Sequence, residues 1–387
     1  MLDKPPPCNE CILAEKGIAF TQPDGLGTSG LMVIGEAPGK SESEQGIPFV
    51  GRAGKQLDRS LSHIGVDRHS LIITNLIQCR PPNNWLQGSP WEEGSIKHCR
   101  TPHLLPTIMR FKPRVISTQG ALPLKYLLGL DGLLPSARNN APKRGYVFDC
   151  RIPLPDGTEH ECKVIPTVHP SFVIQGNQNF AGVHYYDLKK AWDMCQNSVP
   201  AFETEFVTHP KRKDVRDFIQ RAKESSLELL SADIETYYSG NKNEDELTLK
   251  DQNIVRISFA FDGCYAITLL TRGNRDLIQE IFDIKFKHIC WWNGMNFDIP
   301  LLRRAGYGFK ATHLDGMVAW KFLQSDLPQG LGFVSTFYTP FPEWKSLSDD
   351  EPEYYSCMDA VACWLCTKGI IDTLKGQEVA SEEKDSR

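Results

Sequence analysis

The sequence has no long apolar run and no excess of positive charge. No stretch approaches the ~20 consecutive apolar residues that a membrane-spanning helix requires, and the first residues lack the apolar centre of a signal peptide. The formal net charge of −5 excludes a protein that holds duplex DNA through a uniformly positive surface. We therefore expect a cytoplasmic protein in a reducing environment, in which any nucleic-acid contact is local. The candidate basic side chains for such contacts are Arg80, Arg144, Lys211, Arg212 and Lys213.

Length and composition indicate a globular protein with two domains. The 387 residues exceed what one hydrophobic core usually serves, and 41% apolar with 24% charged residues is typical of folded proteins. The amphipathic pattern of 185–195 ends at a helix-breaking segment, and apolar periodicity resumes at Val215. We expect a first domain over 1–198, a linker over 199–212, a second domain over 213–376 and a disordered tail over 377–387.

Short apolar runs alternate with longer helical patterns in the first domain. The four runs are rich in branched residues and cover 31–34, 71–74, 114–117 and 164–167. This alternation predicts an α/β fold with a parallel sheet. Three of the runs lead into polar motifs, at Gly35-Glu36, at Asn75 and at His169. Because ligands of open α/β sheets bind beyond the carboxyl ends of the strands, we expect these motifs to meet in one cleft.

Five short motifs of this domain form a recognisable set. They are Gly35-Glu36-Ala37-Pro38-Gly39, Gly46-Ile47-Pro48-Phe49-Val50-Gly51, Ile73-Thr74-Asn75, Cys79-Arg80-Pro81-Pro82 and His169-Pro170-Ser171. The set resembles the iron-sulfur (family 4) uracil-DNA glycosylases over roughly residues 8 to 195. The resemblance implies an αβα parallel-sheet fold that excises uracil from DNA.

The resemblance also implies how uracil would be held. An extruded base is recognised by stacking and by hydrogen bonds to its Watson–Crick edge, which assigns the stacking to Phe49 and the edge to the Asn75 amide, beside Gly35 and Ala37. An amide donates to O4 and accepts from N3–H, and this pattern selects uracil over cytosine. His169, with backbone N–H groups after Gly35, would stabilise the charge that develops on uracil O2.

The attacking water needs a partner of its own, and the sequence leaves two candidates. Ala37 stands where the best-known uracil glycosylases carry an aspartate that polarises water, so Glu36 or Glu42 would position the water. The chain also lacks the basic, histidine-containing insertion through which one relative becomes trapped on DNA. We therefore expect turnover.

Four cysteines surround these motifs. Cys8-x-x-Cys11 alone is compatible with a zinc knuckle, a redox pair or half of a cluster site. With Cys79 and Cys99, four thiolates suit either zinc or a [4Fe–4S] cluster. The family resemblance selects the [4Fe–4S] cluster and implies a structural role, in which the cluster ties the N-terminal segment to later loops.

The second domain places acidic residues at regular spacings. Residues 227–232 predict a strand that leads into Asp233 and Glu235, and residues two apart on a strand share one face. A second predicted strand, 287–292, delivers Asn293-Gly294-Met295-Asn296-Phe297-Asp298. Tyr355 and Asp359 lie four apart on a predicted helix and therefore on one side of it. Such a set of carboxylates can hold two divalent ions ~3.5 to 4 Å apart for phosphodiester hydrolysis.

This acidic pattern resembles the DEDDy 3′-to-5′ exonucleases over about residues 205 to 375, and the stretch 327–345 resembles proofreading domains of family A phage-type polymerases. The resemblance implies a ribonuclease H-like fold. It assigns Asp233, Glu235, Asp298 and Asp359 as ligands of two Mg²⁺ or Mn²⁺ ions, and Tyr355 as the residue that orients the water.

Together the two resemblances predict a bifunctional enzyme that excises uracil and trims 3′ ends of DNA. The alternative is that the first domain senses uracil without cutting it. A third interpretation, an inert exonuclease scaffold, is disfavoured by the intact acidic set. Because no polymerase segment follows Asp359 in this chain, proofreading would require a DNA polymerase in trans. The resemblance further suggests a phage protein that acts in a bacterial cytoplasm.

Overall fold

The computed structural model describes residues 2–136, 141–197, 202–226, 228–237 and 253–385, with side chains described up to residue 376. The chain divides into two compact units, Met1–Pro200 and Ala201–Arg387. Leu227, at the start of a predicted strand, lies outside the described residues, as do 199–201 of the predicted linker and 386–387 of the predicted tail. Among the described residues, no helix combines the length and apolarity that crossing a bilayer requires.

The first unit is built on a five-stranded sheet in the order β2-β1-β3-β5-β4. The strands are β1 (Leu31–Gly35), β2 (Ile72–Asn75), β3 (Val115–Gln119), β4 (Phe148–Pro153) and β5 (Glu159–Thr167). The pairs β1–β2, β1–β3 and β3–β5 are parallel, as the alternating sequence pattern predicts. Only β4 runs antiparallel, as an edge strand on β5. Exposed residues alternate with buried ones along β4, so its sequence contains no continuous apolar run that would predict a strand.

Helices cover both faces of this sheet. They are α1 (Lys40–Gln45), α2 (Arg52–His63), α3 (Glu92–Cys99), α4 (Leu105–Phe111), α5 (Ala121–Leu128), α6 (Pro170–Ile174) and α7 (Ala181–Gln196). Along β1, Met32 and Ile34 belong to one apolar cluster while Leu31 and Val33 belong to another. Successive strand side chains point to opposite faces, so the sheet lies between two cores. The predicted αβα fold is confirmed.

The second unit is a six-stranded mixed sheet in the order β11-β10-β7-β8-β9-β6. Its strands are β6 (Glu205–Val207), β7 (Leu229–Tyr237), β8 (Asn253–Ala260), β9 (Tyr265–Leu270), β10 (His288–Trp291) and β11 (Thr312–Asp315). The strands β7, β8 and β9 pair antiparallel, while β10 and β11 join parallel beside β7. This topology is that of the predicted ribonuclease H-like α/β fold.

The helices of the second unit are α8 (Arg212–Glu224), α9 (Arg275–Phe282), α10 (Asp298–Arg304), α11 (Gly316–Leu323), α12 (Leu331–Tyr338) and α13 (Pro352–Asp385). Two boundaries differ from those expected from the sequence. The strand β6 lies inside the segment expected to be a linker, because its backbone pairs in parallel with the edge strand β9. The helix α13 extends to Asp385, into the segment expected to be a disordered tail.

Candidate functional sites

The first candidate site is a cleft at the carboxyl edge of the first sheet. Its volume is about 520 Å³. The motifs that end β1 and β2 contribute to its wall, as does the turn that follows β5, so the predicted convergence of three strand ends is what the structure shows. Of the candidate residues, the lining includes Glu36, Ala37, Glu42, Phe49, Asn75 and His169.

Gly35 allows the aromatic ring and the amide to meet. A Cβ atom at position 35 would lie 2.4 Å from Cζ of Phe49 and 2.5 Å from Oδ1 of Asn75. Real side chains do not tolerate such distances, so only glycine fits between these two groups. Phe49 itself has φ +53°, a left-handed conformation that is uncommon for a bulky residue. Strain of this kind clusters at functional sites, and here it holds the ring against the cleft.

Asn75 presents an unused amide. It is the last residue of β2, pairs in register with Gly35, and is only 2% exposed. Its backbone carbonyl accepts a hydrogen bond from the Gln78 side chain at 2.9 Å. Within the described part of the chain, no hydrogen bond of its side chain to the protein is found. The Asn75 side chain borders the cleft, so its amide is available for hydrogen bonds to a ligand there.

His169 is fixed in one tautomer. It caps the N-terminus of α6, where its Nδ1 accepts a hydrogen bond from the backbone N–H of Ser171 at 3.1 Å. The hydroxyl of Ser171 lies 2.6 Å from the same nitrogen. Since Nδ1 accepts, the ring proton of the neutral imidazole belongs on Nε2. Loss of hydration lowers the pKa of His169 to about 4, so the ring is a neutral donor at physiological pH.

The two candidate glutamates have different surroundings. Oε1 of Glu42 accepts hydrogen bonds from the backbone N–H groups of Val50 at 3.1 Å and Gly51 at 2.7 Å, so this carboxylate braces the loop that carries Phe49. Glu36 lies near His169. A Cβ atom at Gly120 would lie 2.9 Å from Oε1 of Glu36 and 3.2 Å from Cβ of His169. Burial, reinforced by the charge of Glu92, raises the pKa of Glu36 to about 7.

The prediction that Arg144 contacts nucleic acid is wrong. Arg144 is fully buried and donates to the carboxylate of Asp187 at 2.7 Å, while Thr167 donates to the other oxygen of that carboxylate at 2.7 Å. A buried guanidinium paired in this way supports the fold and cannot reach a phosphate. The sequence shows the charge of Arg144 but gives no signal for its distant partner.

The four predicted cluster cysteines line one small cavity below the loop that follows β2. All four are free thiols. Burial raises the pKa of Cys8, Cys79 and Cys99, which for Cys79 reaches about 11. Such buried sulfurs ionise only beside a compensating cation, which is the condition that a bound metal supplies. The backbone N–H of Leu13 also points to Sγ of Cys11 at 3.5 Å.

Four cysteine thiols that line one cavity are a donor set that suits either a zinc ion or an iron–sulfur cluster.

The second candidate site lies on the second unit. Carboxylate oxygens of Asp233, Glu235 and Asp359 all lie within 4.8 Å of one another. The first two alternate along β7, and Asp359 comes from α13, as the sequence spacing predicts. Asp298 begins α10 and accepts a hydrogen bond from the backbone N–H of Ile234 at 3.1 Å. It is thus placed beside the same strand.

Crowding of negative charge shows in the proton affinities of these carboxylates. Burial raises the pKa of Asp233 well above its usual range, and nearby Asp359 and Glu235 raise it further. Burial together with Asp359 raises the pKa of Glu235 to about 7. For Asp298, burial alone is the main cause of a pKa of about 7. These carboxylates resist ionisation when no cation is bound, and a bound divalent cation would stabilise their charged forms. Carboxylate oxygens are also the hard ligands that such cations prefer.

Lys345 is a member of this site that the spacing of acidic residues does not reveal. Its ammonium group donates to both carboxylate oxygens of Asp359 at 2.7 Å and to the hydroxyl of Tyr355 at 3.1 Å. The indole N–H of Trp344 donates to Oδ1 of the same carboxylate at 2.7 Å. Lys345 therefore joins the two residues of the Tyr355 to Asp359 pair.

Comparison with known proteins places the first unit in a defined class. Residues 23–194 match the uracil DNA glycosylase superfamily. The type-4 uracil-DNA glycosylase of Sulfurisphaera tokodaii is 34% identical over 189 residues, which cover 49% of this chain and 80% of that protein. The type-4 enzymes of Pyrobaculum aerophilum and Thermotoga maritima are 36% and 33% identical, each over 80% of its own length. Through its first unit, the chain belongs to the type-4 uracil-DNA glycosylase family.

Two solved structures are distantly similar in fold. A Trypanosoma brucei RNase D complexed with RNA U12 has a TM-score of 0.33 and 13% identity, over 43% of this chain and 62% of that chain, which is less than two thirds of its length. The Aedes aegypti Nibbler EXO domain has a TM-score of 0.34 and 12% identity, over 46% of this chain and 92% of that chain. Similarity at this level assigns no activity, so the second site is interpreted from its own residues.

Proposed function

We propose that this chain is a bifunctional DNA enzyme. The first unit hydrolyses the N-glycosidic bond of uracil in DNA, and the second removes nucleotides from 3′ ends by metal-dependent phosphodiester hydrolysis. One observation carries the first activity: a neutral histidine, a free amide and a strained phenylalanine face one cleft in a chain of the type-4 family.

In the proposed glycosylase reaction, extruded uracil stacks on Phe49 and its edge pairs with the Asn75 amide. The bond between C1′ of the sugar and N1 of uracil then breaks, and the electron pair spreads onto O2. The Nε2–H of the neutral His169 ring donates a hydrogen bond to that oxygen. A preorganised donor of this kind stabilises the negative charge that develops on an oxyanion. Water adds to C1′ and loses its proton to Glu36, while Glu42 keeps the Phe49 loop in place.

The cysteine set completes this unit. Cys8, Cys11, Cys79 and Cys99 would hold the [4Fe–4S] cluster that the sequence resemblance implies. When bound, the cluster supplies binding energy to the fold rather than chemistry to uracil. It would link the N-terminal segment to the loop after β2 and to α3.

In the proposed exonuclease reaction, Asp233, Glu235, Asp298 and Asp359 would hold two divalent ions, which supply Lewis acidity to the scissile phosphate and its attacking water. The hydroxyl of Tyr355 orients that water. Lys345 orients Tyr355 through its 3.1 Å hydrogen bond and keeps the hydroxyl beside Asp359. A DNA polymerase acting in trans would supply 3′ ends for proofreading, and this partner is supported by the sequence resemblance alone.

The first test uses a 5′-labelled DNA strand with one internal uracil. The chain is incubated with it in chelator, which silences the metal-dependent site, and alkali then breaks the strand at abasic positions. We expect cleavage at the uracil. Uracil-specific binding without any cleavage would instead identify the first unit as a uracil sensor.

Replacement of Asn75 by alanine tests the recognition group. The variant loses two hydrogen bonds to the base edge, so uracil release should fall about 10- to 100-fold. Single-turnover release from the same strand measures the loss. Asn197→Ala is the matched control, because this exposed asparagine of the same unit directly follows α7 and does not line the cleft. Full release by Asn75→Ala would contradict the assigned pocket.

The assignment of the water to Glu36 predicts a pH dependence. A carboxylate accepts the proton only when ionised, so with a pKa of about 7 the rate should rise as pH increases through 7 and level off above it. Glu36→Gln should lower the single-turnover rate about 10²-fold and abolish this rise. Glu42→Gln should weaken uracil binding by loosening the Phe49 loop and keep the rise. The reverse pattern would transfer the role to Glu42.

A further inference from the structure

The mouth of the uracil cleft carries a tryptophan that the proposed reaction does not use. Trp85 lines the cleft together with Pro81, Asn84 and Gln87, and 49% of its surface is exposed. An exposed indole of this size is unusual because it leaves apolar surface in water. Its one polar group is already satisfied, since Nε1 donates to the carbonyl of Gln87 at 2.8 Å. What remains exposed is the flat aromatic surface.

The indole of Trp85 is held rigidly. The two residues before it, Asn83 and Asn84, have φ values of +56° and +57°, a left-handed pair that turns the chain sharply. The ring of Trp91 meets the Trp85 ring edge-on at 5.6 Å, with 73° between the planes. The Trp91 indole N–H also donates to the carbonyl of Trp85 at 2.8 Å, and Trp91 packs against the apolar core of the unit. A fixed ring loses little conformational entropy when a ligand covers it.

Positive charge accompanies this ring at the cleft. Lys40 and Arg52 line the same cleft, and both are exposed. Within the described residues, no ion pair is found for Arg52, while Lys40 meets Glu44 only at 4.0 Å. An aromatic platform with cations along the backbone path is the arrangement that binds single-stranded nucleic acid, because every base offers a π face.

We propose that Trp85 stacks on the nucleobase that flanks the extruded uracil and thereby favours uracil in single-stranded DNA. The proposal rests on the proposed glycosylase function, since the flipped base fixes where the neighbouring nucleotide lies. In single strands the flanking base is free to leave its neighbours and cover the indole. In a duplex, pairing and stacking with the partner strand restrain it.

The test is a double-mutant cycle between Trp85 and the flanking bases. The full-length chain is titrated, in chelator, with single-stranded DNA that carries 2′-fluoro-deoxyuridine to prevent cleavage. A second DNA has abasic tetrahydrofuran on both sides of that nucleotide. Trp85→Ala should weaken binding of the first DNA about 5- to 50-fold, within the range known for base–aromatic stacking, and should leave binding of the second within about twofold of wild type.

Two further variants distinguish the loss of base stacking from damage to the fold. Trp85→Phe should keep most of the affinity because it retains a π face, whereas Trp85→Leu should lose affinity as Trp85→Ala does, although it retains apolar bulk. The visible absorption of the iron–sulfur cluster and the circular dichroism of each variant report whether the fold is intact.

Several results would overturn the proposal. Equal losses on both DNAs, no loss on either, or an equal loss when the first DNA is annealed to its complementary strand would each exclude stacking on an unpaired flanking base. The outcome stays separate from the fate of the proposed function, because the wild-type chain either releases uracil from cleavable DNA or does not, independently of this binding cycle.

Discussion

Replacement of Asp233 by asparagine should abolish metal-dependent removal of 3′ nucleotides, with a loss of at least about 10³-fold, because a lost metal ligand removes several kcal/mol of transition-state stabilisation. Asp233 shares with Glu235 and Asp359 a group of oxygens within 4.8 Å, so no neighbour can take its place without moving. Asparagine keeps the shape of the side chain and removes its charge. Uracil release in chelator should stay unchanged, since the first cleft contains none of these residues.

The measurement is the shortening of a 3′-terminal strand with Mg²⁺ or Mn²⁺ against time. Asp349→Asn is the matched control, because it makes the same chemical change at an exposed position of the same unit. Two results would count against the proposed exonuclease: wild-type protein that leaves 3′ ends intact with either metal, or Asp233→Asn protein that trims at the wild-type rate.

Replacement of His169 by alanine should slow uracil release about 10²- to 10³-fold, the range found when one donor is removed from an oxyanion site. Because Nδ1 accepts from the backbone N–H of Ser171, the donor that this variant loses is Nε2–H, which the proposed reaction directs at uracil O2. Binding of uncleavable uracil DNA should change little, since the oxygen gains charge only as the bond breaks.

Single-turnover rates at several pH values check the role of His169. With a pKa of about 4, the histidine stays neutral throughout the neutral range, so it should contribute no pH step between 5 and 8. His63→Ala, an exposed histidine in the same unit, is the control. Ser171→Ala should lose less activity than His169→Ala because the backbone N–H of residue 171 still fixes the tautomer. A His169→Ala variant with wild-type rates would remove the oxyanion assignment.

The sequence predicted those positions of site residues that follow from apolar periodicity and from strand direction. Parallel strands end at one edge of a sheet, so Asn75 and His169 could be expected in one cleft although they lie far apart in the chain. A period of two placed Asp233 and Glu235 on one face of β7, whereas only the resemblance to the exonucleases implied that Asp359 of α13 would lie beside them.

Partners from distant segments could not be predicted in this way. Lys345 begins a short 3₁₀ helix, and only the folded chain shows that its ammonium reaches Asp359. Arg144 looked like a free cation until its buried partner Asp187 was seen. The different surroundings of Glu36 and Glu42 depend on groups from distant segments, and no local sequence pattern encodes them. The sequence did not predict the strand β6, because its three residues form a strand by pairing with the edge strand β9.

The ammonium of Lys345 affects the stability of the second unit when no metal is bound. It gives the carboxylate cluster a positive charge that is part of the chain itself, already paired with Asp359. This ion pair offsets part of the repulsion among the carboxylates, although the raised pKa values of Asp233 and Glu235 show that crowding of negative charge persists. We therefore expect this unit to remain folded when divalent ions are withdrawn, so that removing and restoring the ions should switch the proposed nuclease off and on reversibly.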